Sequence, residues 1–392
     1  MLAPRRRITF TSATTGTVIV YDFVCELEID KGTDTLTDTA TITIPRKLIY
    51  KSGEALTPQN QNNLHDYVVL PALGDTKNTA YIVGADALFK RGDKVKIELC
   101  YGYDNDEKLK TRFEGFITGV SSTLPITITC EDKMWLLKQT SLTLPDPANY
   151  TPANKTSGYN VDDTKYSLAQ LLDIIVNSVK EKITYTTVDD KFDLGNLTYS
   201  NQSAAQILQN LKDTHGLYSY FKDDGSLYVG FYNDILSNNI QEFAMEEVVT
   251  DDKLTWVNAD DVSVKVQGIS TPSDKTKDKV TYEAYYKNGN ITDVVPKEPF
   301  IGDIKIKNTK NQNSDSLKKM VVNFLPTYTY TGFKGEIETL GEPLVNHGDV
   351  CYLTSKKMPE RNGYYLIKGV KIRDGIKGYF QTISLGIALY KK

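Results

Sequence analysis

Cysteine and histidine are scarce in this chain, and the way they are scattered argues against most metal and redox chemistry. Four cysteines, Cys25, Cys100, Cys130 and Cys351, lie far apart, and none belongs to a C-x-x-C pair. A disulfide framework or a zinc site needs closer, paired spacing. In strand-like surroundings such thiols behave as small apolar residues. The three histidines, His65, His215 and His347, sit in separate segments with no partner at ligand spacing. Long apolar runs are missing too, so no membrane-spanning helix is expected. The segment after Arg5, Arg6 and Arg7 lacks the apolar core of a signal peptide, so Sec export is not expected. Charge of one sign is also lacking: 46 Lys and Arg face 50 Asp and Glu, a net charge of −4. Broad electrostatic binding of nucleic acid needs a clearly basic face.

Catalytic signatures are absent as well. The chain has no G-x-x-x-x-G-K-[ST], H-E-x-x-H or G-x-S-x-G, and no Rossmann glycine run after a strand. Acidic doublets such as Glu131-Asp132, Asp189-Asp190, Glu246-Glu247 and Asp251-Asp252 could in principle furnish a glycosidase pair. Such a pair must flank one sugar bond from two segments, and solvated turns are the simpler reading. No catalytic, cofactor-binding or metal-ligating residue is assigned, no cofactor is implied, and no enzyme is expected.

What the chain does have is 392 residues, a length that suggests two or three domains. The first third reads as β. Ala40, Ile42 and Ile44 alternate with threonines, and Lys94 to Tyr101 alternates charged with apolar residues, the period of a strand with one wet face. Further strands are expected at Phe113 to Val120 and Ile126 to Cys130, with turn chemistry at Gly92-Asp93. Asn60 to Leu73 reads as loop or strand. Pro145, Pro147 and Pro152 mark a linker.

An α/β module comes next, with two helices and a hairpin. Ser167 with Gln170 and Ser203 with Gln206 are capping boxes, Gly216 is a helix end, and Asp223-Asp224-Gly225 is a hairpin turn. This stretch, residues 146–235, holds 7 basic and 12 acidic side chains and so most of the excess negative charge. The last part returns to β. It adds a helix near 316–325, which Pro326 is expected to close, and polar lysine-rich loops at Ser273 to Lys279 and Lys305 to Ser316. Three domains are therefore expected: a first β-barrel over 1–145, the α/β module over 146–235, and a second β-barrel domain over 236–392. The fold class is mainly β, two similar barrels flanking a small α/β domain.

Two segments share an order of features. Lys90-Arg91-Gly92-Asp93 feeds a strand, then comes Phe116-Ile117-Thr118-Gly119-Val120, then Ile126 to Thr129. Asn346-His347-Gly348-Asp349 feeds a strand, then comes Leu366-Ile367-Lys368-Gly369-Val370, then Gln381 to Leu385. Duplication and chance similarity between β-rich segments both fit this pattern. The two Gly-Asp loops read as plain turns, with ring contacts as the other possibility.

Three stretches together resemble the baseplate hub family of contractile phage tails: the late control gene D family, with the Mu-type hub and the N-terminal part of type VI secretion spikes as relatives. They are Phe113 to Val120 leading to Cys130-Glu131-Asp132; Ser203 to Leu208 through Gly216 to Phe221 and Asp224 to Val229; and Gly363 to Val370 with Gly378 to Gly386. The resemblance spans roughly residues 85–392; the first eighty residues match no motif of the family. It implies a homotrimer whose two barrels per chain make a pseudo-sixfold ring. That ring would adapt a sixfold tail tube to a threefold central spike in a virion tail baseplate, with DNA or an effector passing through the bore. The partners implied are the tail tube protein and a spike carried on another chain. A secretion spike shares the fold. The alternative from a different class is a tyrosine-rich glycan-binding or glycan-cleaving β protein.

Overall fold

The computed structural model describes residues 4–16, 18–44, 89–102, 109–121, 125–144, 165–187, 189–197, 199–232, 239–259, 263–287, 290–293, 300–359 and 362–389. His65, the Asn60 to Leu73 stretch and the proline linker lie outside them. The N-terminal part contributes strands β1 (Pro4–Thr11), β2 (Val18–Tyr21), β3 (Glu26–Gly32), β4 (Thr39–Ile44), β5 (Lys94–Tyr101), β6 (Lys110–Val120) and β7 (Ile126–Glu131). Alternation sets their faces. In β4, Ala40, Ile42 and Ile44 are buried while Thr39, Thr41 and Thr43 face outward.

The middle of the chain holds helix α1 (Met134–Gln139), β8 (Ser141–Leu142), α2 (Leu168–Asn177), β9 (Tyr185–Thr187), β10 (Gln202–Ser203), α3 (Ala204–His215), β11 (Leu217–Phe221) and β12 (Leu227–Phe231). Both capping boxes form, with the serine hydroxyl accepting from the glutamine amide and the glutamine side chain accepting from the serine amide. Gly216 ends α3 at φ +72°. A Cβ there would sit 2.9 Å from the Phe324 ring, so glycine is required on two counts. β11 and β12 form the expected hairpin.

The remainder contributes β13 (Ile240–Ala244), β14 (Val249–Asp252), β15 (Thr255–Val257), β16 (Val264–Thr271), β17 (Val280–Lys287), β18 (Asn290–Thr292), β19 (Asp303–Lys310), α4 (Ser314–Tyr328), β20 (Gly332–Leu340), β21 (Val350–Thr354), β22 (Gly363–Gly375) and β23 (Gly378–Leu389). Lys305 to Ser316 is thus not a loop. It is most of β19 and the start of α4. Pro326 lies inside α4 rather than closing it.

The chain is mainly β, as expected, but the strands from its two ends are not two separate sheets. One 14-stranded sheet runs β14-β20-β23-β22-β3-β4-β7-β6-β5-β1-β2, with β21 beside β22, β13 beside β21 and β15 beside β20. The expectation of two separate barrels meets a different arrangement among the described residues: no ladder closes either half on itself, and β3 joins the halves by pairing with β22. The physical reason lies in β22, which continues past Gly369 and offers a second edge segment, Gly369–Gly375, that β3 fills.

This pairing leaves two main cores. Ile29, Ile42 and Ile128 from the N-terminal strands share one core with Phe243, Ile337, Ile372 and Ile383 from the C-terminal strands. Each such side chain contributes about 1.5–3 kcal/mol by leaving water. A second core joins α1, α2, α3 and the hairpin to Val264, Val266, Ala284 and the apolar face of α4. The strands β16 to β19 form their own sheet beside α4. No helix among the described residues is long and apolar enough to cross a membrane.

Candidate functional site: a duplicated turn and the seam between its copies

The two Gly-Asp turns are the same device built twice. In the first, Gly92 donates its amide to the Ile117 carbonyl at 2.8 Å, and Ile117 donates back to the Asp93 carbonyl at 2.9 Å. In the second, Gly348 donates to the Ile367 carbonyl at 2.8 Å, and Ile367 donates to the Asp349 carbonyl at 2.8 Å. The aspartate side chains match as well. Asp93 accepts from the Lys90 amide at 2.8 Å, and Asp349 accepts from the Asn346 amide at 2.9 Å. Each carboxylate also ties in a preceding segment: Asp93 holds the Ala13 amide at 2.9 Å, and Asp349 holds the Asn239 side chain at 2.7 Å. Gly92 and Gly348 take φ +92° and +86°, a region that costs other residues energy. The strands after the two turns carry the same flaw. Register slips between Ile117 and Gly119 where β6 meets β7, and between Ile367 and Gly369 where β22 meets β23. A bulge of this kind bends its strand and re-aims the residues beyond it. The ladder order β5-β6-β7-β4-β3 in the first half repeats as β21-β22-β23-β20-β14 in the second.

The two copies meet at the β3–β22 seam. Seven residue pairs run from Gly369 opposite Gly32 to Gly375 opposite Glu26. The bulge carbonyl of Lys368 accepts from the Thr33 amide at 2.9 Å and the Thr33 hydroxyl at 3.1 Å. Side chains add ties across the halves. Arg6 grips Asp374 with Nε to Oδ2 at 2.7 Å. Burial nevertheless outweighs Arg6 and pushes the Asp374 carboxyl up to about 6. The Tyr101 hydroxyl donates to the Tyr379 carbonyl. Arg112, 1% exposed, reaches Gln381 at 3.3 Å. Sequence periodicity could not find these pairs, because their partners lie more than two hundred residues apart.

The hairpin of the middle module docks on the same seam. Lys31 reaches Asp223 at 3.4 Å and Asn346 at 3.2 Å, and Asn346 donates to Asp223 at 2.6 Å. Beneath it, His347 lies 3.6 Å from Asp38, with its ring 4.6 Å from that of Tyr220. Burial holds the His347 imidazole below its usual range. Asp132 accepts from the Met134 amide at 3.0 Å. Burial, and then the nearby Asp38, raise its carboxyl well above the usual range.

The outer face of the large sheet is continuous across the seam. One cross-strand row runs Glu338, Thr382, Lys371, Asp30, Thr39, Glu131, Phe116, Lys94, Thr11. The row beside it runs Leu340, Phe380, Arg373, Glu28, Thr41, Thr129, Gly119. Threonines alternate with charged residues at the centre, and the basic groups are tied to carboxylates. Lys371 meets Glu28 at 2.6 Å, Arg373 meets Glu28 at 3.5 Å, and Lys96 meets Glu98 at 3.2 Å.

The other sequence candidates stay apart. His215 is buried at the end of α3, donates to the Leu194 carbonyl at 3.2 Å, and is driven down to about 4 by burial. It is a neutral packing group, with its ring edge-on to Phe192. Glu131 pairs with Lys138, Asp189 pairs with Lys319, and Glu246 accepts from Ser355 and the Lys356 amide. Asp251 and Asp252 are exposed on β14. These doublets share no hydrogen-bond or ion-pair partner among the described residues. Cys100, Cys130 and Cys351 are buried in strands, and burial raises the Cys130 and Cys351 thiols. No group of three or more His, Cys, Asp or Glu among the described residues could hold a metal ion.

Against solved structures the fold has clear counterparts. The chain superposes on the tail protein from Neisseria meningitidis MC58 with a TM-score of 0.58 at 12% identity, covering 98% of this chain and 96% of that one. It superposes on the 43 kDa tail protein of prophage MuSo2 from Shewanella oneidensis with a TM-score of 0.53 at 12% identity, covering 97% of each. The chain therefore has the fold of phage tail proteins over nearly its whole length, and the likeness read from three sequence stretches holds at the level of fold. No family model matches the sequence, and no curated protein does.

Proposed function

We propose that this chain is the structural baseplate hub of a contractile phage tail or a related injection machine. Three copies form a ring of six similar β units, joining a sixfold tail tube to a threefold spike. The observation that carries this reading is the duplicated Gly-Asp turn, whose backbone bonds and aspartate-to-amide bond match in the two halves. A chain that presents the same surface twice gives a trimer six near-equivalent contacts. Heterologous contacts of this kind close into a ring when the rotation per step permits it. The shared fold with tail proteins supports the same reading. In domain terms, residues 1–145 and 236–392 supply the two barrel-like units, and 146–235 supplies the module that braces their seam.

The outer sheet face suits a bore. A wall that must release a polyanion gains from hydroxyls and neutralised lysines, because each phosphate contact adds affinity. DNA or an effector passes; the tail tube protein and the spike protein bind at the two ends. The reading needs no cofactor. Light scattering together with axial cryo-EM averages tests it. A trimer whose end view carries strong sixfold power is the expected result, and a chain that stays monomeric at every concentration would refute it.

A further inference from the structure

The intrachain seam contains a template for a contact between chains, and this inference rests on the ring reading above. Registers place the halves in correspondence. Thr41 faces Thr129, which faces Gly119; Glu336 faces Ser384, which faces Gly369. Thr41 therefore corresponds to Glu336, and Gly119 to Gly369. Two residues back, Thr39 corresponds to Lys334. Asp30 lies opposite Thr39, and Thr255 lies opposite Lys334. Thr255, Trp256 and Val257 of β15 thus stand in the second half where Asp30, Lys31 and Gly32 of β3 stand in the first.

The first-half residues are already engaged. Asp30, Lys31 and Gly32 pair with Lys371, Val370 and Gly369 of β22, and Lys31 is buried there. Their second-half counterparts pair with β20 on one side, and their other edge carries no ladder among the described residues. The receiving segment also has a counterpart. Lys371, Val370 and Gly369 correspond to Ser121, Val120 and Gly119, which run past the point where Ile117 is bonded to the Gly-Asp turn. Their edge on the β5 side carries no ladder among the described residues either. Trp256 is 43% exposed, with one edge held against Phe333 at a ring separation of 5.3 Å. A large, half-exposed, pre-oriented indole on an open strand edge is what a buried contact uses as an anchor.

We infer that β15 of one copy lies antiparallel along Gly119–Ser121 of the next copy, with Trp256 seated against Val120, so that the contact between chains repeats the contact within the chain. The partner is a second copy of this polypeptide, joined head to tail. No charge opposes it: Thr255 meets Ser121, where the intrachain seam sets Asp30 against Lys371.

Cross-linking tests this directly. In a Cys25→Ser background, Ser121→Cys combined with Thr255→Cys should oxidise to a covalent trimer on a non-reducing gel. Each single variant, and Ser121→Cys with Lys277→Cys, should not. Separately, Trp256→Ala should weaken trimer formation at least about tenfold while leaving the circular dichroism spectrum unchanged. In a Trp135→Phe background, the emission of Trp256 should shift to the blue as trimer forms. A trimer by light scattering with no cross-link and an unmoved Trp256 spectrum overturns this seam and leaves the ring standing. A chain that is monomeric at all concentrations overturns the ring, and the seam with it.

Discussion

At the scale of single residues, buried charge sets the behaviour. Asp132 has its carboxyl raised by burial and by Asp38. A group whose folded pKa lies above its unfolded value stabilises the protein below the unfolded pKa, near 3.9, and that contribution is lost as pH rises through the folded value. Asp132→Asn keeps an acceptor for the Met134 amide and removes the ionisation. The variant should match the parent near pH 4 and melt higher than it at neutral pH, as followed by thermal unfolding across that range. Arg112 is a second case. Its guanidinium is pushed down by burial, and its side chain donates to Gln381. Arg112→Met fills the same volume without the charge. Loss of the buried charge offsets loss of the donor to Gln381, so the unfolding free energy in urea should stay within about 1 kcal/mol of the parent's.

At the scale of elements, the Gly-Asp device explains why two distant strands bend alike. Each aspartate accepts from the amide three residues back and locks the turn, while the glycine amide fixes the start of the bulge in the next strand. Asp93→Ala and Asp349→Ala each leave two partly buried donors without this acceptor. Each should cost about 1–3 kcal/mol by chemical denaturation, and similar costs at both positions are expected if the two turns play equivalent parts. Much of this level was legible in sequence. Capping boxes, the left-handed Gly216, the hairpin at Asp223 to Gly225 and the alternation of β4 and β5 act within a few residues, so local pattern suffices. The Lys305 to Ser316 stretch was misread because β19 inverts the usual pattern. Ile304 and Ile306 face outward, while Lys305 and Lys307 lie over the Tyr328 and Phe324 rings of α4. A lysine stem can pack on a ring while its amine stays wet, and composition alone reads that as loop.

At the scale of the whole molecule, the two halves share a core and one sheet, so both copies of the turn belong to one packed unit. Its outer face, with lysines and arginines paired to carboxylates, should bind duplex DNA more weakly than the roughly 10⁻⁴–10⁻⁶ M of nonspecific DNA-binding proteins at physiological salt; fluorescence anisotropy with a labelled duplex checks this. The sequence by itself determined most of the element types, the shared order of features in two segments and the lack of a recognisable catalytic motif, because helix caps, glycine turns and period-two alternation are local properties of the chain; whether that shared order was a true repeat was decided by the matching hydrogen bonds of the fold. Only the tertiary structure decided that β3 fills the edge of β22, that Arg6 meets Asp374, and that Trp256 stands exposed where Lys31 is covered. Those outcomes depend on which distant strand edge is left unpaired once the bulges have bent the sheet, and no window of neighbouring residues carries that information.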